Sequence, residues 1–586
     1  MPTHLPWLLL LIVTLGPSAL AVPVPAYAAQ PVSNQPQPTE ITVAEVAAES
    51  IEPTGLTAID WAIVVIYAGS TIGLGWYFSR RQVSTREYFI GSGRMNPILI
   101  GVSLFATLLS TITYLSMPGE ALGKGPGMML TTLGYPLVFL FVAFVLLPAY
   151  MKQRVTSAYE LLETRLGLSV RMLGAVMFLS LRLVWMSLLI FLTSRALTEM
   201  MGVDESWIPW VAVVTGTVAV IYTTLGGLRA VVITDLLQSI LLFGGALMVI
   251  GTVTAAVGGF GWVPTKWDPN WDSQPLFSLD PAVRITIFGA ILNMLIWHIC
   301  TAGGDQTSVQ RFMSTADLRS ARWAIATQLF VGLTVMITLA FVGFALLGYF
   351  STFPERLPQG LSIKDHADKL FPHYIAYHLP VGISGLVLAA MFAAAMSSMD
   401  SGVNSITAVV LTDFFDRFGK SPRDERSHVR RARILAFTIG AIVVIGSSQM
   451  GLIPGNITAV TQKTSNLLTT PLFCLFFFAM FVPFAKPLAV WLGAICGVTT
   501  AACIAFSGPL AGLLVNRFGV DPWHFGVPPQ SVTDLSTGVP WVVIPDPISF
   551  QWIAPVALAV NLGVGTVFSL LLPSAKRRAE QGRKTE

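Results

Sequence analysis

The chain has 586 residues, 54% of them hydrophobic and 11% charged, with a formal net charge of +4. Ordinary soluble domains carry roughly 25% charged residues, so a soluble globular protein is excluded, and so small a charge implies no nucleic-acid partner. A membrane-spanning helix takes about 20 apolar residues, and the composition supplies a dozen or more: the class is an all-α polytopic protein of the lipid bilayer.

Residues 1–28 read as a signal peptide, an apolar stretch from Trp7 to Leu20 followed by the small-residue pattern Ala26-Tyr27-Ala28. The leading region offers His4 but no Lys or Arg, so an uncleaved anchor is the competing reading. Residues 29–57, rich in Pro, Gln and Glu, are expected to be a disordered external tail. Thirteen apolar runs follow, at about 58–78, 97–121, 126–150, 172–194, 207–224, 231–256, 285–304, 323–349, 381–411, 434–452, 464–485, 488–511 and 550–573. With the N-terminus outside and the C-terminus inside, alternate loops place 25 of the 35 Lys and Arg residues in the cytoplasm, nine outside, and Arg182 within a span. This satisfies the positive-inside rule.

The run 58–78 is taken as an extra leading helix, 97–256 as a first five-helix repeat, 284–485 as a second, 488–573 as two accessory helices and 574–586 as a basic cytoplasmic tail. Runs two to eleven are core helices 1 to 10. Cys300, Cys474, Cys496 and Cys503 lie in or beside apolar runs and read as small buried residues. The external segments Gly259–Asp280, with Trp262, Trp267 and Trp271, and Arg517–Phe550 are long enough to be lids or interfacial anchors. His366, His373 and His378 have no tight metal-ligand spacing.

Three spans are rich in Ser, Thr, Gly and Pro: Ser103–Glu120 with Pro118 and Gly119, Trp297–Gln306, and Ala393–Ser405. Such a span is either a packed helix whose hydroxyls bond back to its own backbone or one unwound to offer carbonyls to an ion. The first two belong to core helices 1 and 6, the pattern of two inverted repeats with a binding site at mid-membrane.

Tyr88–Arg94, Tyr159–Gly167, Gly226–Gln238, Gln306–Arg311 and Ala393–Ser405 resemble the sodium:solute symporters, a family of leucine-transporter fold that includes sodium/glucose, sodium/proline, sialic acid and monocarboxylate carriers. The resemblance covers residues 58–510. It implies one Na+ between core helices 1 and 8, held by the Ser397 and Ser398 hydroxyls and the carbonyls of Ala394, Ala106 and Leu109. Positions 394, 397 and 398 share a helix face, which supports this independently.

In the family the residue matching Asp235 lies on the sodium exit path and in some members helps form a second sodium site with core helix 8. Here Asp400 stands where those members use Ser or Thr. Asp235, Asp400 and Ser401 are therefore expected to form a second cation or proton site, since an ionisable group in a span costs about 2.5–3.5 kcal/mol and needs a partner. The competing reading is a pair of carboxylates salt-bridged to a nearby Arg or Lys. Arg182 would bind a substrate carboxylate, balance Asp400 or satisfy loose carbonyls.

His298 falls where sugar carriers place a polar contact; their core helix 1 Gln corresponds to Thr113, and the proline carriers' Asp to Leu108. The expected substrate contacts are Thr113, Met117, His298 and Thr301, with Trp297 as a wall; a packed, backbone-bonded His298 is the competing reading. The resemblance implies Na+-driven uptake of a small polar organic solute, a sugar or a monocarboxylate first, through a bacterial-type inner membrane. Proton coupling and a transporter-like sensor are the alternatives. No cofactor other than the coupling Na+ is implied, and no Walker loop, HExxH or nucleophile-base set points to an enzyme.

Overall fold

The computed structural model describes residues 55–79, 88–89, 93–152, 157–273, 275–419, 424–452, 457–533 and 540–573. The expected signal peptide, nearly all of the tail 29–57 and the basic tail 574–586 lie outside the described residues.

All thirteen apolar runs are helical. In chain order the helices are α1 (Ala58–Ser79), α2 (Pro97–Leu108), α3 (Thr111–Gly123), α4 (Pro126–Met151), α5 (Glu160–Leu166) and α6 (Leu168–Met200). One continuous stretch, Ile208–Val257, is divided at Gly227 into α7 and α8. There follow α9 (Ile287–Gly304), α10 (Gln306–Met313), α11 (Leu318–Thr352), α12 (Ala367–Tyr377), α13 (Ile383–Val409), α14 (Glu425–Ser447), α15 (Ile457–Phe481), α16 (Pro487–Ala505), α17 (Ser507–Phe518) and α18 (Ile553–Leu571). Among the described residues ten helices are long and apolar enough to cross a membrane, eleven with the bent pair α2 and α3 taken together. Of the remaining runs, 207–224 forms only a short apolar helix, Glu205–Ile221, and 434–452 falls largely in α14, whose first half is basic.

Local chemistry sets the ends. Asn96 caps α2 by accepting from the Ile98 amide at 2.9 Å, with Pro97 at the first helical position. Gly227 has φ 60°, which only glycine adopts cheaply, and there the chain turns between α7 and α8. Of the three hydroxyl-rich segments, two contain breaks and the third, within α13, is an uninterrupted helix. The breaks fall at Leu109 and Ser110 in core helix 1 and at Asp305 in core helix 6. Pro118 sits inside α3 and does not mark the break.

α8 packs along α13, α11 along α2 and α3, α9 along α15, and α6 along α14 and α15. The leading helix is tied to core helix 8 by a buried carboxylate: Asp60 Oδ1 accepts from the Gly382 and Gly385 amides, both at 2.8 Å, at the N-terminus of α13. Cys300 and Cys474 are buried as expected, whereas Cys503 is exposed on the face of α16. Trp262 and Trp271 are buried too, their indoles donating to Thr254 Oγ1 at 2.9 Å and the Leu122 carbonyl at 3.1 Å. They are packing residues, not interfacial anchors, because their N–H groups are already satisfied within the protein.

Residues Gly508–Pro547 belong to a compact unit separate from the helical bundle's, where a loop was expected from Arg517 onward. Its antiparallel pair, β1 (Gln530–Thr533) and β2 (Pro540–Val543), has Gln530 opposite Val543. The Asn516 amide side chain closes on the Val542 backbone, donating to its carbonyl at 2.7 Å and accepting from its amide at 3.0 Å, so a side chain does the work of a neighbouring strand.

Candidate functional site

Core helix 1 bends by 69° between α2 and α3. Leu109 (φ −81°, ψ 120°) and Ser110 (φ −116°, ψ 168°) are extended, so the last carbonyls of α2 lose the amides that a continuing helix would supply. Two hydroxyls of α13 come up against them. Ser397 Oγ lies 3.0 Å from the Ala106 carbonyl and 3.1 Å from that of Ala394. Ser398 Oγ lies 3.2 Å from the carbonyls of both Thr107 and Leu109. All five residues expected at the sodium position thus come together, and Thr107, which sequence reasoning missed, adds its carbonyl. Two hydroxyl protons face four carbonyl oxygens, so the cluster has more acceptors than donors.

Beside it lies a second buried cluster. Ser103 Oγ donates to Asp235 Oδ2 at 2.5 Å, Ser401 Oγ is 2.9 Å from Thr107 Oγ1 and 3.3 Å from Asp400 Oδ1, and all of these side chains are buried. Asp235 and Ser401 meet around the fully buried Arg311 of α10, with Asp400 joined to them through the Ser401 hydroxyl. Arg311 Nη2 donates to Ser401 Oγ at 2.5 Å and stands 3.5 Å from Asp235 Oδ2. Asp235 thus has the Arg partner of the salt-bridged reading, while Asp400 Oδ1 meets the Ser401 hydroxyl. Arg311 was counted among the basic residues of a cytoplasmic loop, and only its place in a motif at a helix break could have drawn attention to it.

Arg182 is paired with Asp305, not Asp400. It also donates to Thr307 Oγ1 at 2.6 Å, and Asp305 caps α10 by accepting from the Thr307 amide at 2.9 Å. The guanidinium is therefore engaged at the break of core helix 6, so of the three roles open to it the pairing with Asp400 is not the one adopted. Around the same break Tyr150 donates to the Gly303 carbonyl and Tyr159 to that of Gly304 at 3.2 Å. Gly304 lets the chain pass close to α15, since a Cβ there would meet the Phe473 Cα at 2.9 Å. The motif residues converge on α10: Gln306 Oε1 accepts from the Ala158 amide at 2.8 Å, and Gln310 joins the Phe89 carbonyl and the Ser405 hydroxyl.

A cavity of about 140 Å³ lies at the core helix 1 break, lined by Thr113, Met117, Trp297 and His298, four of the five expected substrate contacts. Thr301 does not reach it; it lines a neighbouring cavity of about 30 Å³ with Arg182 and Asp305, because one helical turn beyond His298 lowers it along α9. Sequence reasoning missed Tyr135, Trp185, Asn293, Gln328 and Gln462 on the walls of the larger cavity. The His298 ring packs edge-on against Tyr135 and Trp297 at centroid distances of 5.2 and 4.9 Å. Its Nε2, like Asn293 Oδ1, has no hydrogen-bond partner among the described residues. Glu120 is the charged residue among the lining groups and is held by Arg284 at 2.6 Å.

At the end of the bundle near α5, Glu163 bridges Arg171 at 2.6 Å and Arg417 at 2.7 Å. Bonds from Arg417 first and Arg171 next hold its carboxyl far below the usual carboxylate range, at about 2.

A broken helix offering carbonyls to a neighbour's hydroxyls, beside a largely apolar cavity that carries a few polar groups, is the arrangement of an ion-coupled membrane transporter. The sequence matches the sodium:solute symporter family over residues 88–497, and the chain belongs to that family. It is 28% identical over 471 residues to the sodium/sialic acid symporter NanT of Aliivibrio fischeri, covering 77% of this chain and 88% of that protein. It is 30% identical over 401 residues to SiaT of Proteus mirabilis (65% and 76%) and 28% identical over 480 residues to the human sodium-coupled monocarboxylate transporter 1 (79% and 76%). The solved structure of a Na+-coupled sialic acid symporter in a substrate-bound outward-open state superposes with a TM-score of 0.69 at 24% identity, covering 88% of this chain and 98% of that one. The fold is accordingly that of the leucine-transporter class. The protein is an integral membrane symporter that couples Na+ to solute uptake, and not an enzyme.

Proposed function

We propose that the coupling Na+ is bound by the carbonyls of Ala106, Leu109 and Ala394 and the hydroxyls of Ser397 and Ser398, and that the solute occupies the adjoining cavity. The observation that carries this reading is the excess of carbonyl oxygens over hydroxyl protons: a hard cation satisfies lone pairs that two hydroxyls leave over. Sodium there bridges α2 to α13 and steadies the broken helix in the outward-open state, and solute binding then favours occlusion and rocking of the first five-helix repeat, 97–256, against the second, 284–485. The potential contributes about 2.3 kcal/mol per charge per 100 mV.

The solute is a small polar organic molecule, a sugar or a monocarboxylate. Sugar hydroxyls are matched by Asn293, His298 and Gln328 with Trp297 and Trp185 as flat walls, and a carboxylate by the N-terminus of α3 beside Thr113. The names of the relatives, sialic acid and monocarboxylate carriers, support the same classes. The N-terminus lies outside and the C-terminus in the cytoplasm, on the distribution of Lys and Arg; the short loops, the signal and the family support a bacterial-type inner membrane.

Uptake into proteoliposomes of labelled sugars, monocarboxylates and sialic acid, driven by an inward Na+ gradient, tests the reading. Accumulation of one class that collapses when Na+ is replaced by K+ is expected; accumulation driven only by an inward proton gradient would reject sodium at this site.

A further inference from the structure

We propose that Arg426 and Arg430, at the start of α14, bind the headgroup of an acidic phospholipid. Arg426, Arg430, Ile434 and Phe437 follow one another at steps of four, four and three residues, which puts them on one face of the helix. All four are exposed, the last two by 59% and 54%. The chemistry of that face changes once: two guanidiniums come first, then apolar side chains as far as Ile445, which is 72% exposed. On a helix of an integral membrane protein an exposed apolar stripe faces acyl chains, so Ile434 marks the edge of the hydrocarbon. With α14 near the membrane normal, Arg430 stands one turn, about 6 Å, beyond that edge and Arg426 about 12 Å. The polar layer of a leaflet is roughly 5–8 Å deep, so Arg430 lies at the depth of the lipid phosphates and Arg426 at the outer limit of that layer.

The local charge selects the headgroup. Between Arg417 and Arg433 the sequence holds seven Lys and Arg residues against two acids, Asp424 and Glu425. The neighbouring groups are already engaged: Arg417 pairs with Glu163 at 2.7 Å, His428 stands 3.0 Å from Asp416, and Asp424 caps α14 by accepting from the Ser427 amide at 3.2 Å. Arg426 and Arg430 pair with no carboxylate among the described residues. A guanidinium fork matches a phosphodiester, and the helix start adds partial positive charge. A zwitterionic headgroup brings its own cation into this basic field, whereas an acidic one does not. A free anion meets the guanidiniums but leaves Ile434 and Phe437 uncovered; a phospholipid covers both with its chains. α14 packs on α6 and on α13, so a lipid held here braces the helix that carries Ser397 and Ser398.

The test is native mass spectrometry of the purified full-length protein in detergent, titrated with phosphatidylglycerol, with phosphatidylcholine and with inorganic phosphate. A basic residue at the membrane surface contributes about fivefold to affinity for acidic lipid, so phosphatidylglycerol should be held at least about tenfold more tightly than phosphatidylcholine. Arg426→Gln and Arg430→Gln should each weaken phosphatidylglycerol binding about fivefold and the double variant about twentyfold, while Arg430→Lys, which keeps the charge, changes it little. Both positions are exposed, so the double variant should melt at the wild-type temperature in lipid-free detergent. Equal retention of the two lipids would overturn the proposal, and so would a folded double variant that holds phosphatidylglycerol as the wild type does. Displacement of phosphatidylglycerol by inorganic phosphate would overturn it too, because the site would then serve a free anion.

Discussion

Core helices 1 and 6 are both broken, and they are mended in different ways. At Leu109 and Ser110 the freed carbonyls meet only hydroxyls and neighbouring peptide groups. At Asp305 the break is closed by a carboxylate that caps the following helix and pairs with Arg182, while two tyrosines take the Gly303 and Gly304 carbonyls. A helix break is costly in lipid unless its polar groups find partners. Permanent side-chain partners make a fixed joint, and a shortage of donors makes a joint that an ion can complete. With the sodium site proposed above, the first break serves ion exchange and the second anchorage.

The largest test of that contrast is Arg182→Met. It leaves Asp305 buried without its cation, and stripping one partner from a buried pair costs about 3–5 kcal/mol. We expect a strongly lowered melting temperature in detergent, largely restored by adding Asp305→Asn; a single variant as stable as the wild type would make the second break as dispensable as the first. Next in size is Ser398→Ala. It removes a hydroxyl from the exchangeable break, and the half-saturating Na+ concentration for uptake should rise at least about tenfold, or ~1.4 kcal/mol, with insertion and melting temperature unchanged. Unaltered sodium dependence would dissolve the distinction between the two joints.

Smaller again is Asn293→Ala, which takes one hydrogen-bonding group from the cavity wall. A lost hydrogen bond is worth about 0.5–1.5 kcal/mol, so KM for the solute should rise roughly three- to tenfold while the sodium Hill coefficient stays fixed; a changed coefficient would place Asn293 in ion coupling. The smallest effect concerns Glu163, on the short helix that carries Tyr159 to the second break. Its carboxyl is lowered from 4.5 to about 2, so it contributes stability that is complete above pH 4.5 and lost as the pH falls through 2. Glu163→Gln should flatten that part of the stability profile, read by thermal melts between pH 5 and 2; an unchanged acid limb would show that the ion pairs with Arg171 and Arg417 contribute nothing.

The sequence by itself determined the class, the helical runs and the hydroxyl-rich segments, because apolar length and local composition are properties of neighbours along the chain. It also carried the family resemblance and the spacing that puts Ala394, Ser397 and Ser398 on one face. Only the tertiary structure decided which partner each buried charge takes. Arg182 and Asp305 are more than 120 residues apart, as are Ser103 and Asp235, and Arg311 binds three other helices at once. No periodicity encodes such pairings. Thr301 lies one turn beyond His298 on α9, and the packing of neighbouring helices divides the space beside them into a larger cavity and a smaller one.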